Sequence, residues 1–173
     1  GTPFILQERL GFSPQEFGLI VLISVGGFTA GTVVNNRLIG RVTPVTIMLT
    51  GGWFHVAGLT VMGALSLAGM EAWWTIVGPH MVLSFGSGFL VPTSGAGAVG
   101  MFPKLAGTAA SWVGLAQMGM GALGTIAVAL LTLAGSRYIA MPLVIGLLPF
   151  ALLTVLSARL LRTPRPTAIE PHD

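Results

Sequence analysis

Five long apolar stretches divide the sequence, and short polar segments separate them. They cover residues 14–38, 45–69, 73–99, 105–134 and 139–161. A helix needs ~20 apolar residues to cross a hydrocarbon core of ~30 Å, and each stretch is long enough for this. The stretches are too long for barrel strands of ~10 residues. The pattern therefore predicts an all-α membrane protein, a helical bundle of five transmembrane helices.

Shorter segments flank these stretches. Ser13 followed by Pro14 is a typical helix start, with serine as the N-cap and proline at the first helical position. Residues 3–6 are apolar and predict the end of a sixth helix, so that the transmembrane bundle covers residues 1–162. Residues 163–173 contain three prolines and charges of both signs, which predicts a disordered tail.

The composition agrees with a membrane protein. The 173 residues are 53% hydrophobic and only 8% charged, whereas soluble domains carry about 25% charged residues. The formal net charge of +3 comes from scattered basic residues without a basic patch, so nucleic acid is not an expected partner. The chain has no cysteine, which excludes disulfides, thiol catalysis and thiolate metal sites.

The basic residues are distributed unequally between the two ends of the predicted bundle. Six of them are predicted to lie at one end: Arg37, Arg41, Lys104, Arg159, Arg162 and Arg165. The other end takes two, Arg9 and Arg137. Because cytoplasmic loops carry the excess of Lys and Arg, the first end is predicted to be cytoplasmic, and with it the C-terminus.

Small residues recur at helical spacing within two of the stretches. Gly27 and Gly31 form a GxxxG pair in the first stretch, and Ala110, Gly114 and Gly121 recur in the fourth. A small residue on each turn lets a second helix backbone approach closely in a membrane. The spacing predicts that Gly27, Ala110, Gly114 and Gly121 are helix-packing positions.

Few polar side chains lie in the middle of the stretches, and the one carboxylate within their bounds, Glu16, falls in the first turn of the first stretch. Gln117, His80, Ser84 and Ser87 are the candidates for a substrate cavity. For each of them two interpretations remain open: contact with a substrate or proton, or a packing role satisfied by hydrogen bonds within the bundle. His55 and His80 are the two candidates for proton transfer within the stretches, and for His55 packing is the favoured interpretation.

The sequence gives no indication of an enzyme. It contains no Ser/His/Asp set, no cluster with metal-ligand spacing and no phosphate-binding or dinucleotide-binding fingerprint. We therefore expect no catalytic residues, no metal and no cofactor.

Three local strings resemble a known family. They are residues 3–18, with Leu10-Gly11-Phe12-Ser13-Pro14; residues 31–41, with Asn35-Asn36-Arg37 and Gly40-Arg41; and residues 102–111, with Phe102-Pro103 and Ala106-Gly107-Thr108. Together they resemble the C-terminal half of a major facilitator superfamily transporter. The drug-resistance branch of bicyclomycin and chloramphenicol efflux proteins, the Bcr/CflA type, is the nearest in pattern. The five stretches then resemble helices eight to twelve of that fold.

The resemblance implies a proton-coupled multidrug efflux transporter of the bacterial inner membrane that works by alternating access. Its partners would be a drug-like small molecule, protons, the lipid bilayer and an N-terminal half that is missing from this chain. The residues implied in gating or hinge motion are Gly31, Arg37, Gly40, Arg41 and Pro92. The motif aspartate of the family is replaced here by Asn35 or Asn36. An uptake permease of the same superfamily and a non-transporting membrane scaffold subunit are the alternatives.

Overall fold

A computed structural model describes residues 13–70, 72–133 and 140–160 of the chain. Its long helices are α1 (Pro14–Leu38), α2 (Pro44–Leu67), α3 (Trp73–Met101), α4 (Ala106–Leu133) and α5 (Met141–Leu160), with a 3-10 turn at Pro103–Leu105. Five helices are long and apolar enough to cross a membrane, and these residues form no strand. The predicted all-α membrane bundle is confirmed. The predicted end of a sixth helix and the predicted tail lie outside the described residues.

Local sequence accounts for the turn between α1 and α2 and for the turn after α2. The Thr43 hydroxyl accepts a hydrogen bond from the Thr46 amide at 3.3 Å, and Pro44 takes the first helical position. Gly40 in the first turn has φ +80°, and Gly69 after α2 has φ +73°. Glycine adopts this left-handed conformation without the steric cost that a Cβ would add.

The helices α1, α3, α2 and α5 pack side by side in that order. At the α1–α3 crossing, a Cβ added to Gly88 would lie only 2.5 Å from the Phe28 carbonyl oxygen. At the α3–α2 crossing, Gly51 and Gly86 face each other, and a Cβ on either would lie 2.8 Å from the other's carbonyl oxygen. On its opposite side α2 meets α5, where Gly52 contacts Val155. Glycine therefore determines how closely these backbones approach.

An aromatic cluster joins α2 and α3 beside the glycine crossing. The Phe54 ring meets the Phe85 ring edge-on at 5.0 Å between centroids, and the Phe89 ring lies 5.3 Å from that of Phe85. Phe89 is among the largest fully buried side chains of the described chain. The cluster fixes the rotation of α2 and α3 about their axes, and so determines which of their side chains face the same space.

The fourth helix is the exception in this bundle. Its C-terminal half contacts α5, where Gly124 meets Leu147, but most of its surface is exposed. A Cβ added to Gly114 or Gly121 would meet no atom within 4 Å, and Ala110 is exposed. Within the described residues these three positions do not pack against another helix as the small-residue spacing predicted. Small residues at helical spacing allow a second helix to approach closely, but they do not show that a second helix is there.

The small residues of α1 do pack against another helix, as their spacing predicted. A Cβ on Gly27 would lie 3.0 Å from the Met81 carbonyl oxygen, and one on Gly31 would collide with the Phe85 carbonyl group. Both positions of the GxxxG pair thus lie at the α1–α3 crossing. For Gly31 this is a packing position in the middle of a continuous helix.

Candidate functional site

A cavity of about 330 Å³ lies between α2, α3 and α5, and is called here the central cavity. Most of its wall is apolar, formed by residues such as Leu59, Leu83 and Phe150. Its polar lining consists of five side chains: His55 from α2, His80, Ser84 and Ser87 from α3, and Thr154 from α5. An apolar wall with a few convergent polar groups is typical of small-molecule binding sites.

The third helix places its polar residues on one face. His80, Ser84 and Ser87 follow one another at spacings of four and three residues, so they lie on the same side of α3. Three of the four predicted cavity residues are therefore brought together. The interior prolines Pro79 and Pro92 do not interrupt α3, which runs continuously from Trp73 to Met101.

His80 and Ser84 also line a second space, called here the side cavity. It has a volume of about 370 Å³ and is bounded on its other side by α1, including Ser24 and Phe28. Within the part of the chain that the structure describes, no hydrogen bond is found for the ring nitrogens of His80 or the hydroxyl of Ser84. These two groups can therefore form hydrogen bonds with a ligand in either cavity.

The other hydroxyls around the cavities are already occupied. Thr154 donates to the Phe150 carbonyl at 2.9 Å, and Ser24 donates to the Ile20 carbonyl at 3.2 Å. Such bonds to the preceding turn are the usual solution for Ser and Thr in a helix. They leave His80 and Ser84 as the polar groups best able to contact a ligand.

His55 connects two helices by a hydrogen bond. Its ring crosses from α2 to α3: Nε2 lies 3.1 Å from the Ser87 hydroxyl, and Nδ1 lies 3.0 Å from the Gly51 carbonyl oxygen. These contacts are compatible with the packing interpretation, but the sequence did not identify Ser87 as the partner of His55. One signal was available, because His55 lies between Gly51 and Gly58 at spacings of four and three residues. A histidine on the glycine face of a membrane helix faces a neighbouring helix.

Gln117 is not brought to this site. Its side chain is exposed on α4, and it lines neither the central cavity nor the side cavity. The reason is the loose packing of the N-terminal half of α4, which leaves this helix away from the polar face of α3. Contact of Gln117 with a substrate, or an interhelix hydrogen bond from it, stays a prediction.

A polar contact ties α1 to α3 near their basic ends. Asn35 is fully buried, and its amide nitrogen donates to the Thr93 hydroxyl at 3.2 Å. Asn36 beside it is exposed, so Asn35 is the buried residue of this asparagine pair. Thr93 directly follows Pro92, so this bond ties Asn35 of α1 to α3 next to its interior proline.

The remaining residues of the implied gating set lie around the turn after α1. Arg37 and Arg41 are exposed, and Gly40 supplies the left-handed turn conformation described above. A cavity of about 580 Å³ separates this turn from α3 and is lined by Arg41, Pro92 and Thr93 among others.

The basic end is also marked by an interhelix contact. The Arg159 guanidinium at the end of α5 lies 5.3 Å from the centroid of the Trp53 ring on α2, a cation–π geometry.

Within the described ranges no group of three His, Cys, Asp or Glu side chains is placed to hold a metal ion.

These features define a multi-pass helical membrane protein with a partly polar cavity among its helices. The chain matches no protein-family model, no curated protein and no solved structure.

Proposed function

We propose that this chain is part of a transmembrane transporter and that the central cavity binds its small-molecule substrate. The observation that carries the proposal is the pair His80 and Ser84. Both hydrogen-bonding groups lack a partner among the described residues, and both face cavities between apolar helices. Unused polar groups inside a membrane bundle are costly, and they are retained where they contact a substrate, an ion or water.

The chemistry of the cavity favours a substrate class. The wall is largely apolar, no carboxylate lines it, and its polar groups are hydroxyls and imidazoles. Such a surface suits a mainly apolar molecule with one or two hydrogen-bonding groups rather than a sugar or a strongly charged metabolite. This agrees with the drug-like substrate implied by the resemblance to drug-resistance members of the major facilitator superfamily.

The proposed mechanism is alternating access. In that superfamily two halves rock about a substrate site near the middle of the membrane. This chain would supply the C-terminal half, together with an N-terminal half of the same transporter. Its working direction is proposed to be proton-coupled efflux from a bacterial cell.

Drug accumulation in cells tests this function. The full-length protein that contains this chain is expressed in a bacterium lacking its main efflux pumps, and accumulation of a fluorescent lipophilic dye is measured. We expect lower accumulation and higher drug resistance, both abolished by a protonophore. Increased accumulation would indicate an uptake permease instead. Unchanged accumulation and unchanged resistance, with the protein present in the membrane, would favour the scaffold alternative.

The proposed location is the bacterial inner membrane with the basic end in the cytoplasm. The chain contains no cysteine, so single cysteines at the two ends report orientation without a background. Val42, beside α1 at the basic end, and Met70, after α2 at the opposite end, are both exposed. We expect Met70→Cys to react with a membrane-impermeant maleimide in intact spheroplasts, and Val42→Cys to react only after lysis. The reverse pattern would show that the orientation is inverted.

A further inference from the structure

The hydrogen bonds around His55 determine where its proton lies. The Gly51 carbonyl oxygen, 3.0 Å from Nδ1, can only accept, so Nδ1 carries a hydrogen. In the neutral imidazole Nε2 is then an acceptor, and it faces the Ser87 hydroxyl at 3.1 Å. The neutral ring is thus held in a single tautomer, with both nitrogens bonded.

The Ser87 hydroxyl has one hydrogen and two possible acceptors. Its oxygen lies 3.1 Å from His55 Nε2 and 3.1 Å from the Leu83 carbonyl oxygen of its own helix. When His55 is neutral, Ser87 donates to Nε2. When Nε2 gains a proton it donates to the Ser87 oxygen, and the hydroxyl hydrogen turns to the Leu83 carbonyl.

We propose that His55 and Ser87 form a proton-binding site, in which the Ser87 hydroxyl changes acceptor as the imidazole gains or loses its proton. Every ring nitrogen has a partner in both charge states, and only one hydroxyl hydrogen has to rotate. A buried imidazole without such a partner would expose an unsatisfied N–H on protonation, which is costly inside a protein. The site rests on these contacts and holds whether or not the chain transports a drug.

The surroundings of the site are nearly free of other charges. His80 of α3 lines the same cavity, while the residues that α5 contributes, such as Phe150 and Thr154, do not titrate. The described part of α1 has no titratable residue between Phe17 and Val34, and α4 has none from Ala106 to Leu133. Apart from Glu16 in the first turn of α1, the described helices therefore contain no carboxylate that could serve as a counter-ion. The cavity of about 330 Å³ has room for water to hydrate the charged ring.

Nitrogen NMR of the full-length protein in bilayers tests the site directly. ¹⁵N-histidine labelling reports which ring nitrogens carry hydrogen, and the His55→Gln spectrum identifies the His55 signals by difference. We expect neutral His55 to be protonated at Nδ1 alone, and to become protonated at both nitrogens as the pH falls from about 8 to 5. An Nε2-protonated neutral form, or a ring that stays neutral across this range, would overturn the proposal.

A pair of serine variants tests the switching partner. Ser87→Ala removes both the donor to neutral His55 and the acceptor for charged His55. The hydrogen bond between Ser87 and charged His55 is stronger than the one between Ser87 and neutral His55. Losing both therefore destabilises the charged form more, and we expect the proton affinity of His55 to fall about tenfold. Ser94→Ala is the matched control, because Ser94 lies on the same helix and donates only to the Val91 carbonyl. Equal titration of His55 in the two variants would exclude Ser87 as the partner.

Discussion

Gly88→Ala is expected to destabilise the bundle by about 3 kcal/mol, the upper end of the usual cost of overpacking. The added Cβ would lie 2.5 Å from the Phe28 carbonyl oxygen and 2.6 Å from the Thr32 amide nitrogen. Both are backbone atoms of α1, so no side-chain rotation relieves the contact, and the two helices have to separate. Reversible unfolding in mixed micelles, followed by circular dichroism, measures the free energy of unfolding.

Gly95→Ala is the matched control on the same helix. A Cβ at Gly95 meets no atom within 4 Å, so alanine there costs no packing. Because glycine is about 1 kcal/mol less favourable than alanine inside a helix, this variant should be unchanged or slightly more stable. Equal stability of the two variants would contradict the close approach of α1 and α3.

Filling the central cavity should have the largest effect on the proposed transport. Ser84 lines both the central cavity between α2, α3 and α5 and the side cavity beside α1, and Phe in its place would fill space in one of them. We expect Ser84→Phe to reduce drug efflux by more than about tenfold, equivalent to a binding loss of about 1.4 kcal/mol. Dye efflux from energised cells, normalised to the amount of protein in the membrane, measures this effect.

Two further variants separate the possible causes of such a loss. Val82→Phe adds the same bulk on α3, but Val82 lines neither of these two cavities and is partly exposed, so efflux should be retained. Ser84→Ala removes only the hydroxyl, and should raise the apparent KM by no more than about tenfold, the value of one hydrogen bond. Wild-type efflux by Ser84→Phe would show that the substrate does not use this cavity.

Much of the fold was predictable from length and hydropathy. A helix that crosses the membrane must be apolar over its whole length, and few other segments of a chain satisfy that condition. The start of α1 at Pro14 and its end at Leu38 match the predicted stretch, and the bounds of α2 and α3 and the start of α4 lie within two residues of theirs. Pro44 at the start of α2 and Gly40 in the preceding turn also act through local backbone geometry, although the sequence analysis used neither as a boundary signal.

The candidate site was predictable only in part. His80, Ser84 and Ser87 share a face because helical spacing alone places them there. His55 and Gln117 show the limit of that reasoning: each is a polar residue in an apolar helix, yet one bonds across to Ser87 and the other is exposed on α4. Their positions depend on the rotation of α2 and on the loose docking of α4.

The sequence did not show which helix faces meet, because membrane helices are apolar on all sides. In a soluble protein the apolar stripe shows which face of a helix is buried, but a helix that is apolar all round has no such stripe. Hydropathy along this chain thus determined how many helices form and where each begins and ends. Which faces meet was decided by backbone contacts between distant residues, such as Gly51 with Gly86 and Gly31 with Phe85. Only those contacts placed His55 beside Ser87 and left Gly114 and Gly121 of α4 without a close neighbour among the described helices.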